Sequence, residues 1–201
     1  AMRRVAFFVI PSAVALAALG QVLAGGVFQT GAFTGDDARY VWGILAGSSI
    51  GLLAGTLARL YSAAWYALGD TRTPLRCATV RLLVGTALAW FAALRLPGLV
   101  GVAPFWGAAG LTAAAGISGW VEFLLLRRAL DRRIGATRLP AGLTPRLWAA
   151  ALAAAAAGWG MLRLLGGRSG PLPTAAAVFL AFGTLYLGGT LALGVPLAHE
   201  L

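Results

Sequence analysis

The stretch Arg59-Leu-Tyr-Ser-Ala-Ala-Trp-Tyr-Ala-Leu-Gly-Asp-Thr-Arg-Thr-Pro74 joins two segments that are each apolar enough to cross a bilayer. Its turn chemistry is local. Gly69 is expected to take the left-handed conformation that ends a helix, Thr73 to cap the next one, and Pro74 to sit in that helix's first turn. None of this requires a guanidinium at Arg59, about two turns inside an apolar helix. Nor does it require Trp65, Tyr66, Asp70 and Arg72 at these spacings.

Around this hairpin the chain is 60% hydrophobic and 11% charged over 201 residues, with a mean hydropathy of +0.84. A soluble domain is roughly 45–50% apolar, so the composition is that of an integral membrane protein. Six segments approach the roughly 20 apolar residues that a span needs, near 5–24, 41–65, 77–96, 106–126, 147–165 and 174–195. The first carries Arg3 and Arg4 ahead of its apolar run, but no cleavage site before a soluble domain, so it is read as a span rather than a signal peptide.

A net charge of +10 would suggest nucleic acid as a partner for a soluble protein; here orientation accounts for it, and no nucleic-acid partner is expected. With the N-terminus inside, Arg3, Arg4, Arg59, Arg72, Arg76, Arg81, Arg127, Arg128, Arg132, Arg133, Arg138 and Arg146 fall on the cytoplasmic side. Arg39, Arg95, Arg163 and Arg168 fall on the other. By the positive-inside rule both termini are expected in the cytoplasm.

Within the spans, Pro11 removes a backbone hydrogen bond and is expected to kink the first helix. Thr34 and Asp37 have capping-box spacing, with Asp in place of Glu, and start the second helix near Gly35. That helix carries Gly43, Gly47, Gly51 and Gly55 at strict four-residue intervals, a ladder expected to pack closely against another helix, either as a fixed seam or as a rocking surface. Arg81 in the third span and Glu122 in the fourth lie at depths similar to Arg59, so Glu122 can pair with one of the two arginines. Such a pair would offset the cost of intramembrane charge.

Compositional breaks divide the chain into a four-helix part (1–130), a basic linker (131–146) and a two-helix hairpin (147–201). The linker, with its neighbouring arginines from Arg127, is expected either to lie against anionic phospholipids or to set topology alone. Cys77 is the single cysteine, which rules out an intrachain disulfide, and His199 lacks ligand partners. There is no metal-ligand spacing, no paired carboxylate and no nucleophile–base set. Gly166-Gly167-Arg168-Ser169-Gly170 resembles a phosphate loop only superficially and reads as a turn. Neither a catalytic residue nor a cofactor is expected.

The signature from Arg59 through Trp65-Tyr66-Ala67 to Asp70-Thr71-Arg72-Thr73-Pro74 resembles the MurJ/MviN family of lipid II flippases. Ile10-Pro11-Ser12-Ala13-Val14 resembles that family's proline-containing helix start, and Phe28-Gln29-Thr30-Gly31-Ala32-Phe33-Thr34 its following external loop. The resemblance covers residues 3 to about 130. It implies an all-α, polytopic membrane helix bundle, with six transmembrane helices forming part of the second lobe of a fourteen-helix alternating-access flippase fold.

The resemblance further implies a multi-pass protein of the bacterial plasma membrane, with lipid II or a related polyprenyl-linked glycan as substrate. It also implies that an N-terminal lobe supplies most of the cationic cavity, while the last two helices help form a groove for the polyprenyl tail. Arg59 and Arg81 become candidate substrate contacts, and transport would be coupled to membrane potential or an ion. The chain by itself is then expected not to transport. The alternatives are an exporter of another polyprenyl-linked glycan or of drugs, and a non-transporting scaffold for cell-wall synthesis.

Overall fold

A computed structural model describes residues 2–29, 32–135, 142–165 and 170–195. The expectations for Thr30, Gly31, Arg138, Pro140, residues 166–169 and His199 lie outside them. Helix α1 spans Met2–Phe28, α2 Gly35–Ala67 and α3 Arg72–Trp90. A wide π-helical turn, Phe91–Arg95, and the short α4, Leu96–Val100, prolong α3. Helices α5 (Gly107–Ile134), α6 (Leu143–Leu165) and α7 (Pro171–Ala192) follow. Among the described residues, six helical stretches are long and apolar enough to cross a membrane.

The boundaries follow local chemistry. Thr34 and Asp37 form a reciprocal box: the Thr34 N–H and hydroxyl donate to Asp37 Oδ2 at 2.8 and 2.7 Å, and the Asp37 N–H donates back to Thr34 Oγ1 at 3.4 Å. Gly69 takes φ +74°. The π turn precedes Pro97, which has no N–H to donate; the Leu96 N–H reaches back five residues to the Phe91 carbonyl. Helix α5 runs on to Ile134 and α6 begins at Leu143, so residues 131–134 and 143–146 of the expected linker are helical.

Contacts group the chain into two compact units. They differ from the compositional division at 130 and 146, because the final hairpin shares its core with α1. The first unit contains α1, α2 as far as Ala46, α6 and α7. Ile10, Leu19, Leu147 and Val178 form its fully buried centre. Helix α6 approaches closely because it is nearly all alanine from Ala149 to Ala157, and at Gly158 an added Cβ would stand 3.0 Å from Leu19 Cδ1. Trp42 and Trp159 donate their indole N–H groups to the successive α1 carbonyls of Ala17 and Ala18 at 2.7 and 3.0 Å.

Pro11 has a partner in this unit that the sequence does not announce. Lacking an N–H, it leaves the Phe7 carbonyl, one turn back, without its usual donor. The buried Tyr186 hydroxyl of α7 donates to that carbonyl at 2.6 Å. Tyr186→Phe is therefore expected to cost about 1–3 kcal/mol by orphaning a buried acceptor. In a Pro11→Ala background, where the N–H is restored, the same change should cost less than about half as much. Denaturation in mixed micelles, run as a double-mutant cycle, measures both; equal costs in the two backgrounds would disprove the compensation.

The second unit contains α2 from Gly47, α3, α4 and α5. Helices α2 and α5 touch backbone to backbone: a Cβ on Gly51 would lie 2.5 Å from Gly116 Cα, and one on Gly47 would meet Thr112 Oγ1 and lie 2.6 Å from the Ala109 carbonyl oxygen. Trp120 bridges the same pair by donating to the Ile50 carbonyl at 2.8 Å. Gly107 and Gly110 play the same part for the π turn, where an added Cβ would meet the carbonyl oxygens of Ala93 and Ala92 at 2.6 and 2.8 Å.

Candidate functional site

In the second unit, charged side chains from different elements meet on the face between α3 and α5 and at the hairpin between α2 and α3. Arg81 Nη1 donates to Glu122 Oε2 at 2.9 Å, with the Arg81 side chain 45% exposed and the Glu122 side chain 10%. The pair borders an open concavity of about 570 Å³ that Gly85, Thr86 and Ser118 also line. Because only Nη1 is engaged with Glu122, the planar guanidinium keeps further donors for an anion. Glu122 holds the head of Arg81 in place while the concavity remains accessible.

Arg59 does not join this pair. It is exposed, and among the described residues its side chain has no hydrogen bond or ion pair. The reason is rotational. The buried face of the second half of α2 runs through Ala54, Ala58, Tyr61 and Trp65, and Arg59 is turned about 100° from Ala58. The glycine ladder divides for a related reason. Gly47 and Gly51 lie against α5, whereas a Cβ on Gly55 would meet nothing within 4 Å. Four-residue steps drift about 40° each on an α-helix, so the contact passes from Gly51 to Ala54. Gly43 belongs to the first unit.

The second polar place is the hairpin between α2 and α3. The helix start is held by Asp70 and not, as its position suggests, by Thr73. Asp70 Oδ1 accepts the N–H groups of Arg72 and Thr73 at 2.9 and 3.0 Å, and Oδ2 accepts the Thr73 hydroxyl at 2.8 Å. An acceptor must precede the N–H groups it caps, and Asp70 is the residue before that turn. These bonds from Thr73, and then from Arg72, with the nearby Arg133 charge, lower the Asp70 pKa from its ordinary value. A lowered carboxylate pKa makes this anchoring complete above the usual Asp range, with loss only as pH falls through the lowered value.

Arg133, from the far end of α5, completes the hairpin. Its Nη1 lies 3.6 Å from Asp70 Oδ2, and its guanidinium sits over the Trp65 ring at 5.4 Å. Trp65 is buried, and its indole N–H has no acceptor among the described residues. Sequence reasoning assigned Arg133 to the basic linker. The missed signal is the continuation of α5 through Ala129-Leu130-Asp131, with no breaker before Gly135.

In the first unit, a concavity of about 400 Å³ combines Trp42 and Trp159 with Gln21, Gln29 and Thr174. Among the described residues no group of three or more His, Cys, Asp or Glu could hold a metal.

The sequence profile of the family described as "Lipid II flippase MurJ" matches residues 1–167. Proteins named "Probable lipid II flippase MurJ" are similar to the chain. That of Rhizobium tropici is 29% identical over 129 residues, covering 64% of this chain and 22% of the relative. That of Rhizobium meliloti (strain 1021) is 30% identical over 120 residues, covering 60% and 21%. That of Buchnera aphidicola subsp. Baizongia pistaciae (strain Bp) is 28% identical over 130 residues, covering 65% and 23%. The chain thus spans less than a quarter of the length of these relatives.

A solved structure titled "Lipid II flippase MurJ, inward closed conformation" superposes with a TM-score of 0.77 at 21% identity, covering 98% of this chain and 38% of that one. The six-helix arrangement of the described residues therefore has the fold of part of that structure. By the profile that spans most of its length, the chain belongs to the lipid II flippase MurJ family.

Proposed function

We propose that the chain acts as part of a lipid II flippase, carrying an undecaprenyl-pyrophosphate-linked disaccharide-pentapeptide from the cytoplasmic to the outer leaflet of a bacterial plasma membrane by alternating access. The family match over residues 1–167 carries this reading. The geometry adds an intramembrane guanidinium, Arg81, half exposed beside a concavity and held by a nearly buried carboxylate. Such a group can meet a substrate phosphate without facing the full cost of an unpaired charge in a span. Arg59, exposed and unengaged, is the second contact proposed.

In this reading both termini are cytoplasmic, no cofactor takes part, and transport is coupled to membrane potential or an ion. The N-terminal lobe of the whole protein supplies the remainder of the cavity, and anionic phospholipids surround the basic segments. The test is complementation: cells depleted of their native flippase receive a full-length gene encoding this segment, unaltered or with Arg59→Ala or Arg81→Ala. Failure of both variants, with protein levels maintained, is the expected result, and full rescue by both removes a direct substrate role for these arginines. The chain alone, reconstituted in liposomes, should leave fluorescent lipid II in its original leaflet; flipping by the chain alone would refute the need for the other lobe.

A further inference from the structure

We infer that the α2–α3 hairpin carries an anion site for a phosphate-type ligand, a phosphodiester or a pyrophosphate, formed by Arg72, Arg76 and Arg133. The inference is independent of whether the chain takes part in moving lipid II. The three arginines line one concavity of about 480 Å³, together with Asp70 and the turn around it. Arg72 and Arg76 are one helical turn apart and project from the same face of α3. Both are exposed, and among the described residues neither side chain donates to an acceptor.

Arg133 approaches from α5 and is already oriented, between the Trp65 ring at 5.4 Å and Asp70 Oδ2 at 3.6 Å. Among the described residues, Asp70 is the lone acid lining the concavity. Its oxygens are committed to the Arg72 and Thr73 N–H groups and the Thr73 hydroxyl. The backbone start of α3 is thereby occupied, so the attraction for an anion comes from the side chains. Three guanidinium groups face one carboxylate, and two positive charges stay uncompensated at close range.

Like charges one helical turn apart repel, and a ligand able to bridge them removes that repulsion. A phosphate group suits the geometry: it offers several oxygens around one centre, and each guanidinium presents a planar fork matched to two of them. A single carboxylate has only two oxygens to share among arginines arriving from two helices. Two sources offer this chemistry at a membrane surface, the phosphodiester of an anionic lipid headgroup and a pyrophosphate.

The test uses the full 201-residue chain in maltoside micelles at low salt. In one arm it is titrated calorimetrically with inorganic pyrophosphate. In the other, micelles containing equimolar phosphatidylcholine and phosphatidylglycerol are analysed by native mass spectrometry for retained phosphatidylglycerol. Arg72→Gln/Arg76→Gln should weaken binding at least about tenfold, as expected for the loss of two charge-assisted contacts. The control Arg128→Gln/Arg132→Gln removes the same charge elsewhere on α5 and should weaken it less than about twofold. All four positions are exposed, and unchanged circular dichroism verifies folding.

Arginine-dependent binding in the pyrophosphate arm alone assigns the site to pyrophosphate, and in the lipid arm alone to headgroups; in both arms it assigns the site to either. Each of these results supports the inference. No binding in either arm, or equal weakening by the two double variants, overturns it.

Discussion

Gly51→Val is expected to lower the stability of the second unit by about 3 kcal/mol or more, the upper end of overpacking costs. The reason is that its neighbour is backbone. A Cβ at Gly51 would stand 2.5 Å from Gly116 Cα, and one at Gly116 would stand 2.7 Å from the Gly51 nitrogen. No side chain is there to rotate away, so the helices must separate, breaking the Trp120–Ile50 hydrogen bond and the contacts at Gly47 with them. In lipid, where apolar residues gain little by leaving the solvent, close packing is most of what joins two helices.

Gly55→Ala provides the control. It belongs to the same four-residue ladder but faces open space, so gaining alanine's helix propensity should stabilise by up to about 1 kcal/mol. Gly51→Ala gains the same propensity and should nevertheless destabilise. Denaturation in mixed micelles reads the sign directly, and the same sign at both positions would contradict the seam.

Arg81→Leu is expected to cost about 2–3 kcal/mol, somewhat below the 3–5 kcal/mol typical of breaking a fully buried pair, because Arg81 is half exposed and its attraction is partly screened. Removing it strands the Glu122 carboxylate, only 10% exposed, among the apolar residues of α5. Arg81→Leu/Glu122→Leu should recover most of the loss, since two apolar side chains leave no stranded charge. Thermal unfolding in micelles compares the three variants. A double variant as unstable as Arg81→Leu would show that the pair is not the source of the effect.

The recovery also separates two roles for Arg81. If it serves only as Glu122's partner, the double variant should support growth in the complementation assay. If it meets the substrate, stability returns without function.

The hairpin, the six spans, the Thr34–Asp37 box and the left-handed Gly69 were legible because each depends on neighbours within a few residues: propensity, capping and hydropathy act locally. Even there the assignment of the α3 cap to Thr73 misplaced an acceptor by three residues. The resemblance carried by residues 59–74 pointed to the family that the profile identifies. The pairing of Glu122 with an arginine was also foreseeable from shared depth, but which arginine was not.

That choice depends on rotation about helix axes. At 100° per residue, a small error in phase exchanges a buried position for an exposed one, and this is what puts Arg81 on the α5 side and leaves Arg59 outside. The same geometry passes the glycine contact from Gly51 to Ala54 rather than Gly55. It also brings Arg133 to a carboxylate far away in sequence, and Tyr186 to the carbonyl that Pro11 leaves free. The sequence by itself determined which segments are helical spans and which family they resemble, since those follow from short-range chemistry, but it ended α5 too early and began α6 too late. Only the tertiary structure decided which charged and polar groups meet, because that depends on how the helices turn and approach one another.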